Sequence, residues 1–366
     1  MSAFKNIIIS RTDKIGDFVV SIPSYATAKA MYPQARIIAL VSKSNWMIAK
    51  NIKCIDECIC VDHFKAQQDV GEYLSQYNPD VFIALVSDNR ISKIAKASKA
   101  PIRIGPYSKF WSFFHYNKGV RQHRSLCLKS EAEYNLDLVR SLDPKRFDEV
   151  GVHFDRIVCT ERERAIVWNF LLQRQISEAP LILVNPFTGG SGSNLSIDGY
   201  AKVLDAILDE SSLEQIASEL GLVLEGIKLP HIVLMGMEQH REGCERIVSK
   251  VDEDRRIRIH TFINNDSLLV AAAMVERAEV FIGPSTGITQ IAGNFHKHAI
   301  CFYSTRKSNS HRRWALFGDP NEHPVTLKYE ELDPDTKELQ VLSESQKQQV
   351  VALTLRSYLK VTQHLN

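Results

Sequence analysis

The sequence predicts an α/β protein made of two doubly wound, Rossmann-like domains facing a central cleft. Three observations carry that expectation. Short apolar runs that stop at polar turns, among them Ile7–Ile9, Ala35–Ser42 and Leu181–Val184, read as strands buried on both faces. Segments of helical periodicity alternate with them along the chain, the pattern of a mostly parallel sheet covered by helices on both sides. At 366 residues the chain is long enough for two cores of ordinary size.

Taken in order, the Ile7 strand hands over at the turn Arg11–Gly16 to a helix with Phe18, Val19, Ile22, Tyr25 and Ala26 near helical spacing. Arg11, Asp13, Lys14 and Asp17 are all expected on that turn. Pro23 either kinks the helix or sits in its first turn, where a missing N–H costs little. The strand Ala35–Ser42 follows, then a short helix capped by Ser44 and running to Asn51. Strands at Glu57–Val61 and Asp80–Leu85 flank a helix near Gln67–Gln76. A helix at Asn89–Ser98, a short strand at Ile102–Ile104 and a helix at Glu131–Leu142 close the first half.

The expected domains are 1–165 and 166–366, with Asp155–Glu178 as a helix-containing connection. The second half repeats the design: strand Leu181–Val184, helix Ile197–Asp209, another helix within Ser211–Lys228, strand His231–Met235 and helix Arg241–Val251. Strand Arg256–His260, helix Asp266–Arg277, strand Glu279–Ile282, helix Thr286–Asn294 and strand His298–Phe302 come next. A last amphipathic helix, Leu342–Leu359, starts at the capping-box pair Ser343 and Gln346.

Hydrophobic content of 44% and charged content of 24% are those of a soluble globular chain. A net charge of +2 gives no global argument for nucleic acid, and none is expected as a partner. No apolar run approaches the roughly 18 residues that span a bilayer. Met1-Ser-Ala-Phe-Lys5 leads straight into a strand, with no room for a signal peptide, so the expected location is cytoplasmic. Seven cysteines without a framework fit a reducing compartment. The tightest subset, Cys54, Cys58 and Cys60 near His63, has no second ligand pair at zinc spacing. It reads as small hydrophobes on a strand, and no metal is expected.

Two loops carry the chemistry. Gly283-Pro-Ser-Thr-Gly287 lies between a strand and a helix, where unpaired N–H groups and the helix dipole favour an anion. Ser285 and Thr286 add hydroxyl donors there, and Gly287 lets the backbone approach closely. Thr188-Gly-Gly-Ser-Gly-Ser193, also between strand and helix, forms a second anion-compatible nest, and two such loops in one domain point to a diphosphate. At the other end, Asp17 beside Gly16 is placed to take a proton from an attacking hydroxyl, or to serve only as a first-turn aspartate. Asp13 is the rival base, or a turn residue bonding its own backbone. Arg11 and Lys14 either neutralise anionic groups of an acceptor or pair with those two carboxylates.

One stretch departs from the alternating pattern. From Asn89 to Ser130 there is no Asp or Glu, while Arg90, Lys93, Lys96, Lys99, Arg103, Lys109, Lys118, Arg121, Arg124 and Lys129 fall inside it. The aromatic run Tyr107-Ser-Lys-Phe-Trp-Ser-Phe-Phe-His-Tyr116 sits among these charges. Such a mixture suits an anionic membrane surface or a phosphorylated lipid head group.

Arg11-Thr-Asp-Lys-Ile-Gly-Asp17 with Pro23, and Ile282-Gly-Pro-Ser-Thr-Gly-Ile-Thr-Gln-Ile-Ala-Gly293, resemble the signatures of glycosyltransferase family 9, the heptosyltransferase-type enzymes. The resemblance extends to Arg103-Ile-Gly105, Glu131–Leu136, Asn185–Tyr200 and Ser267–Asp319. It implies a GT-B fold whose C-terminal domain binds a nucleotide-diphospho-sugar, usually ADP-heptose. The sugar would pass, with inversion and without a metal or other cofactor, to an anionic lipopolysaccharide or lipooligosaccharide core at the inner face of the inner membrane. It implies Asp17 as base, with Thr286-Gly287 and Thr188 on the diphosphate.

The donor-binding set expected from residues and resemblance together is Thr188, Gly189, Ser191, Ser193, Ser285, Thr286, Gly287 and Gln290. The acceptor-binding set is Arg11, Lys14, Arg90, Arg103, Arg121 and Arg124. Three positions depart from the family pattern: Ser285 and Gln290 stand where Asp and His are common, and Ser193 where lysine is usual. They leave the donor open, and with it two rivals: a nucleotide-sugar epimerase or hydrolase on the same fold, and a non-catalytic glycolipid-binding homologue.

Overall fold

The computed structural model describes residues 4–190, 192–223 and 225–363. The chain divides into two compact units, Met1–Val158 and Cys159–Asn366. In the first, strands β1 (Asn6–Arg11), β2 (Arg36–Val41), β3 (Glu57–Cys60), β4 (Val81–Ala84), β5 (Ile102–Pro106) and β6 (Lys118–Val120) form one sheet in the order β3-β2-β1-β4-β5-β6. Every pairing is parallel. The side chains of Ile7–Ile9, Ile37–Val41 and Val81–Ala84 are buried on both faces, which is why these strands read as unbroken apolar runs.

The second unit repeats this layout. Strands β7 (Leu181–Val184), β8 (Asn194–Leu195), β9 (His231–Gly236), β10 (Ile259–Ile263), β11 (Val280–Pro284), β12 (His298–Ser304), β13 (Glu322–Leu327) and β14 (Glu338–Leu339) are present. Six of them build a parallel sheet in the order β10-β9-β7-β11-β12-β13, and β8 pairs with β14 apart from it. The C-terminal helix Glu344–Thr362 buries Val350, Leu355, Tyr358 and Leu359 in this unit's core. Ser343 and Gln346 close the expected capping box. The helix Glu161–Gln173, which contains the expected domain boundary, is tied within the second unit by the ion pairs Arg164–Glu276 and Arg162–Asp266.

In each sheet the chain starts a central strand, winds to one side, then returns to wind to the other. The order reverses between β1 and β4 in the first unit and between β7 and β11 in the second. Such a reversal splays the loops at the carboxyl ends of the two strands apart, and ligands bind in the resulting crevice.

Several elements differ from expectation. Arg11 is the last residue of β1, not a turn residue, and Asp17 lies in the first turn of a short helix, Ile15–Val19. That helix stops and a second, Ile22–Met31, starts with Pro23 in its first turn, so the proline begins a helix and kinks none. Ser42, not Ser44, occupies the N-cap position of Lys43–Ala49. The strand expected at Arg256–His260 begins at Ile259, because Glu253–Arg258 winds as a 3-10 turn. β6 and β13 escaped the sequence pattern. Both are edge strands, where Lys118-Gly-Val120 and a strand containing Pro324 are tolerated for lack of a second neighbour. Among the described residues, no helix is long and apolar enough to cross a membrane.

Candidate active site

The first switch point is organised by one buried guanidinium. Arg11 ends β1 and is 1% exposed. Its Nε donates to Asp13 Oδ1 (2.7 Å) and its Nη2 to Asp17 Oδ1 (2.6 Å). Nη1 donates to Asn135 Oδ1 (2.9 Å) and to the carbonyl of Leu85, just past β4 (3.3 Å). Glu131 Oε1 accepts from both terminal nitrogens at 3.2 Å and from Arg124 Nη1 at 2.5 Å. Arg124 Nη2 shares the Leu85 carbonyl (3.0 Å). Residues from β1, the loop after β4 and the helix Glu131–Arg140 therefore meet at the reversal between β1 and β4.

Three carboxylates around two guanidinium groups leave an excess negative charge in a poorly hydrated place. Burial pushes the Asp17 carboxyl up to about 6. Arg11 opposes the rise, while Asp13 and Glu131 reinforce it. Only Oδ1 of Asp17 is bonded to a described residue, so Oδ2 is free to accept a proton. A carboxylate that gains or loses its proton near neutral pH has the property a general base needs.

The expected acceptor cations do not form one cluster. Arg11 and Arg124 belong to the network just described and are corrected from ligand-facing charges to internal ones. Arg103 donates to the carbonyls of Ala100 and His115, holding its own loop. Arg90 reaches the Val61 carbonyl and Asp62. Lys14 and Arg121 are exposed, and neither makes an ion pair with a described residue. Glu131 and Asn135 were missed as members of the site. Their signal was the i, i+4 spacing that puts a carboxylate and an amide on one helix face.

At the second switch point the two expected loops meet. A Cβ on Gly192 would lie 3.1 Å from the Ser285 carbonyl oxygen and 3.6 Å from Thr188 Cγ2, so the glycine permits this approach. Gly190 has φ +85°, a left-handed backbone that glycine adopts without strain, and its N–H donates to Thr188 Oγ1 (3.1 Å). Thr286 holds the N-cap position of the helix Gly287–Asn294, and its N–H donates to Thr289 Oγ1 (3.4 Å) in a capping-box arrangement. The Thr289 hydroxyl itself donates to the Pro284 carbonyl and fixes the loop. At such a helix start the first-turn amides and the helix dipole favour an anion.

Thr188, Gly189, Ser285, Thr286 and Gly287 reach the surface of this crevice, whereas Ser193 is buried. Ser191 lies outside the described residues. Gln290 is corrected: it is 5% exposed and its Nε2 donates to the Trp314 carbonyl (2.8 Å), so it anchors the segment His311–Trp314. Tyr303 Oη donates to the same carbonyl (3.2 Å). Sequence reasoning also missed a ring pair beside this point, Phe187 stacked on His240 at 4.3 Å. At the cysteines, burial pushes the Cys58 thiol up to about 12.

No protein-family model matches the chain. A Haemophilus influenzae protein named "Putative glycosyltransferase" is 27% identical over 325 residues, 87% of this chain and 88% of that protein. The E. coli ADP-heptose LPS heptosyltransferase II superposes with a TM-score of 0.72 at 16% identity, over 98% of this chain and 99% of that one. A glycosyltransferase family 9 structure from Veillonella parvula gives 0.72 at 17% identity, over 100% and 98%. E. coli heptosyltransferase WaaC with ADP gives 0.61 at 13%, over 92% and 96%.

The fold is GT-B, the fold of those transferases, and it extends over the whole chain. Within that class the chain resembles a glycosyltransferase-named relative in sequence and the heptosyltransferase-type structures of glycosyltransferase family 9 in fold.

Proposed function

We propose that this protein is an inverting, metal-independent glycosyltransferase that moves a sugar from a nucleoside-diphospho-sugar, with ADP-heptose the first to test, to an anionic glycolipid. A lipopolysaccharide or lipooligosaccharide core, or a related surface glycan, is the acceptor class, met at the inner face of the inner membrane. The observation that carries the reading is Asp17: a carboxyl poised near 6, held through one oxygen by Arg11, with the other oxygen open.

In this reading Asp17 Oδ2 takes the proton of an acceptor hydroxyl. The freed oxygen pair forms the bond to the anomeric carbon, while the bond from that carbon to the diphosphate breaks and its electrons leave with the nucleoside diphosphate. Arg11 positions Asp17 and is not itself a reactant. The amides at Thr286–Gly287 and the hydroxyls of Thr188 and Ser285 take up the charge that grows on the leaving group. Lys14 and Arg121 remain to meet anionic groups of the acceptor. No metal or other cofactor enters these steps.

The expected result of Asp17→Asn is a loss of turnover of about 10²–10⁴-fold with donor affinity retained in calorimetry. Wild-type turnover in that variant removes the base and the mechanism with it. The departures at Ser285, Gln290 and Ser193 favour a second reading, a glycolipid-binding homologue without catalysis. A chain that binds no nucleotide sugar at all supports that alternative. Release or isomerisation of the sugar with no acceptor present supports the epimerase or hydrolase.

A further inference from the structure

The aromatic segment that follows β5 is built as a projecting knuckle. Tyr107 and Trp111 pack against the first unit's core, and Tyr116 is buried in it. Arg103 Nε donates to the His115 carbonyl (2.9 Å) and Ser92 Oγ is bonded to His115 Nδ1 (2.8 Å), so the one-turn helix Ser112–His115 is fixed at both faces. The remaining rings point outward. Phe110 is 80% exposed, Phe114 60% and Phe113 46%. Phe110 and Phe114 meet edge to face at 5.2 Å, and Phe113 leans on Tyr107 at 4.4 Å. Three phenylalanines turned to water on an anchored loop cost solvation that a monomer has no reason to carry.

The charged side chains of the segment and of the exposed turns of the neighbouring helix are positive, with Asp88 at that helix's N-cap. Lys93 and Lys96, on the neighbouring helix Asn89–Ala97, are close enough that, together with burial, they hold the His115 imidazole below its ordinary value. Lys109 lies within the segment. All three lysines are exposed, and none makes an ion pair with a described residue. No Asp or Glu occurs from Asn89 to Ser130. The segment is also on the carboxyl edge of the first sheet, since Ser108 is hydrogen-bonded to Ser87, two residues past the Leu85 carbonyl that Arg11 uses.

We propose that Phe110, Phe113 and Phe114, ringed by Lys93, Lys96 and Lys109, form the surface by which this protein docks on an anionic lipid bilayer. The rings enter the boundary between head groups and acyl chains while the ammonium groups stay at the phosphates. A bilayer fits better than a protein groove because Lys93, Lys96 and Lys109 make no ion pair with a described residue, and a lipid surface supplies a continuous sheet of opposite charge. The inference rests on the proposed function only for the lipid-linked acceptor; the docking itself is read without donor or acceptor.

The test is co-sedimentation of the full chain with phosphatidylcholine vesicles, with and without phosphatidylglycerol. Binding is expected only to the anionic vesicles and is expected to weaken as salt rises. The double variant Phe110→Ser, Phe114→Ser should bind at least about tenfold more weakly, from the apolar area withdrawn. Lys93→Gln and Lys96→Gln should each cost about fivefold. Unchanged thermal unfolding shows that the variants are folded, and retained transfer to a water-soluble acceptor shows that docking and chemistry separate. Failure of the wild type to bind anionic vesicles overturns the proposal, as does equal binding by the variants. Self-association that the phenylalanine variants abolish overturns it too, giving the patch to a second copy. Vesicle binding without any sugar transfer supports docking and sinks the transferase reading alone.

Discussion

Arg11 bonds Asp13 and Asp17 through different nitrogens, and Glu131 accepts from the two terminal ones. The guanidinium therefore fixes where Asp17 points, while burial, reinforced by Asp13 and Glu131, sets when it ionises. If Asp17 is the base, kcat/KM should rise with pH through about 6, as its proton leaves, and then level off. Glu131→Gln keeps an acceptor oxygen for both arginines but removes a negative charge that raises Asp17. The acid limb of the profile should then move to lower pH, with the maximal rate little changed. An unmoved limb in that variant means Glu131 does not govern Asp17. None of this coupling is visible in the order of residues, because Arg11 and Glu131 come from a strand and a helix far apart in the chain.

At the scale of elements, the crevice at the second reversal depends on how closely two loops approach. The first, after β7, passes the second, after β11, at Gly192, where even a methyl group would crowd the Ser285 carbonyl. Gly192→Val should force them apart and weaken donor binding by about tenfold, on the scale of a lost pair of hydrogen bonds. The strands beneath should stay intact. Calorimetry with ADP and circular dichroism check the two halves of that statement, and unaltered ADP affinity would count against the diphosphate site. The glycine-rich pattern announced such a loop, but not its neighbour. Gln290 shows the opposite lesson. Its place in a family-like motif suggested a ligand contact, yet the helix turns it inward to hold the Trp314 carbonyl.

For the molecule as a whole, the site carries a cost in stability. A carboxyl whose native value is raised from 3.8 to about 6 binds its proton more readily folded than unfolded. Its contribution therefore favours the fold fully below about pH 4 and is lost as the pH climbs through 6. Asp17→Asn should thus be more stable than the wild type at pH 8, by about 1–3 kcal/mol, and equal to it near pH 3. Chemical denaturation at the two pH values checks the sign, and a variant weaker than wild type at pH 8 contradicts it. The sequence alone determined the alternating strands and helices, the two-unit α/β plan and the positions of both loops. Those follow from local periodicity and turn chemistry, which each segment expresses without its neighbours. Tertiary structure decided the rest: the strand order that makes each reversal, the edge strands β6 and β13, and the gathering of Arg11, Asp17, Glu131 and Asn135. Those depend on which distant segments share a desolvated space, and only the folded chain fixes that.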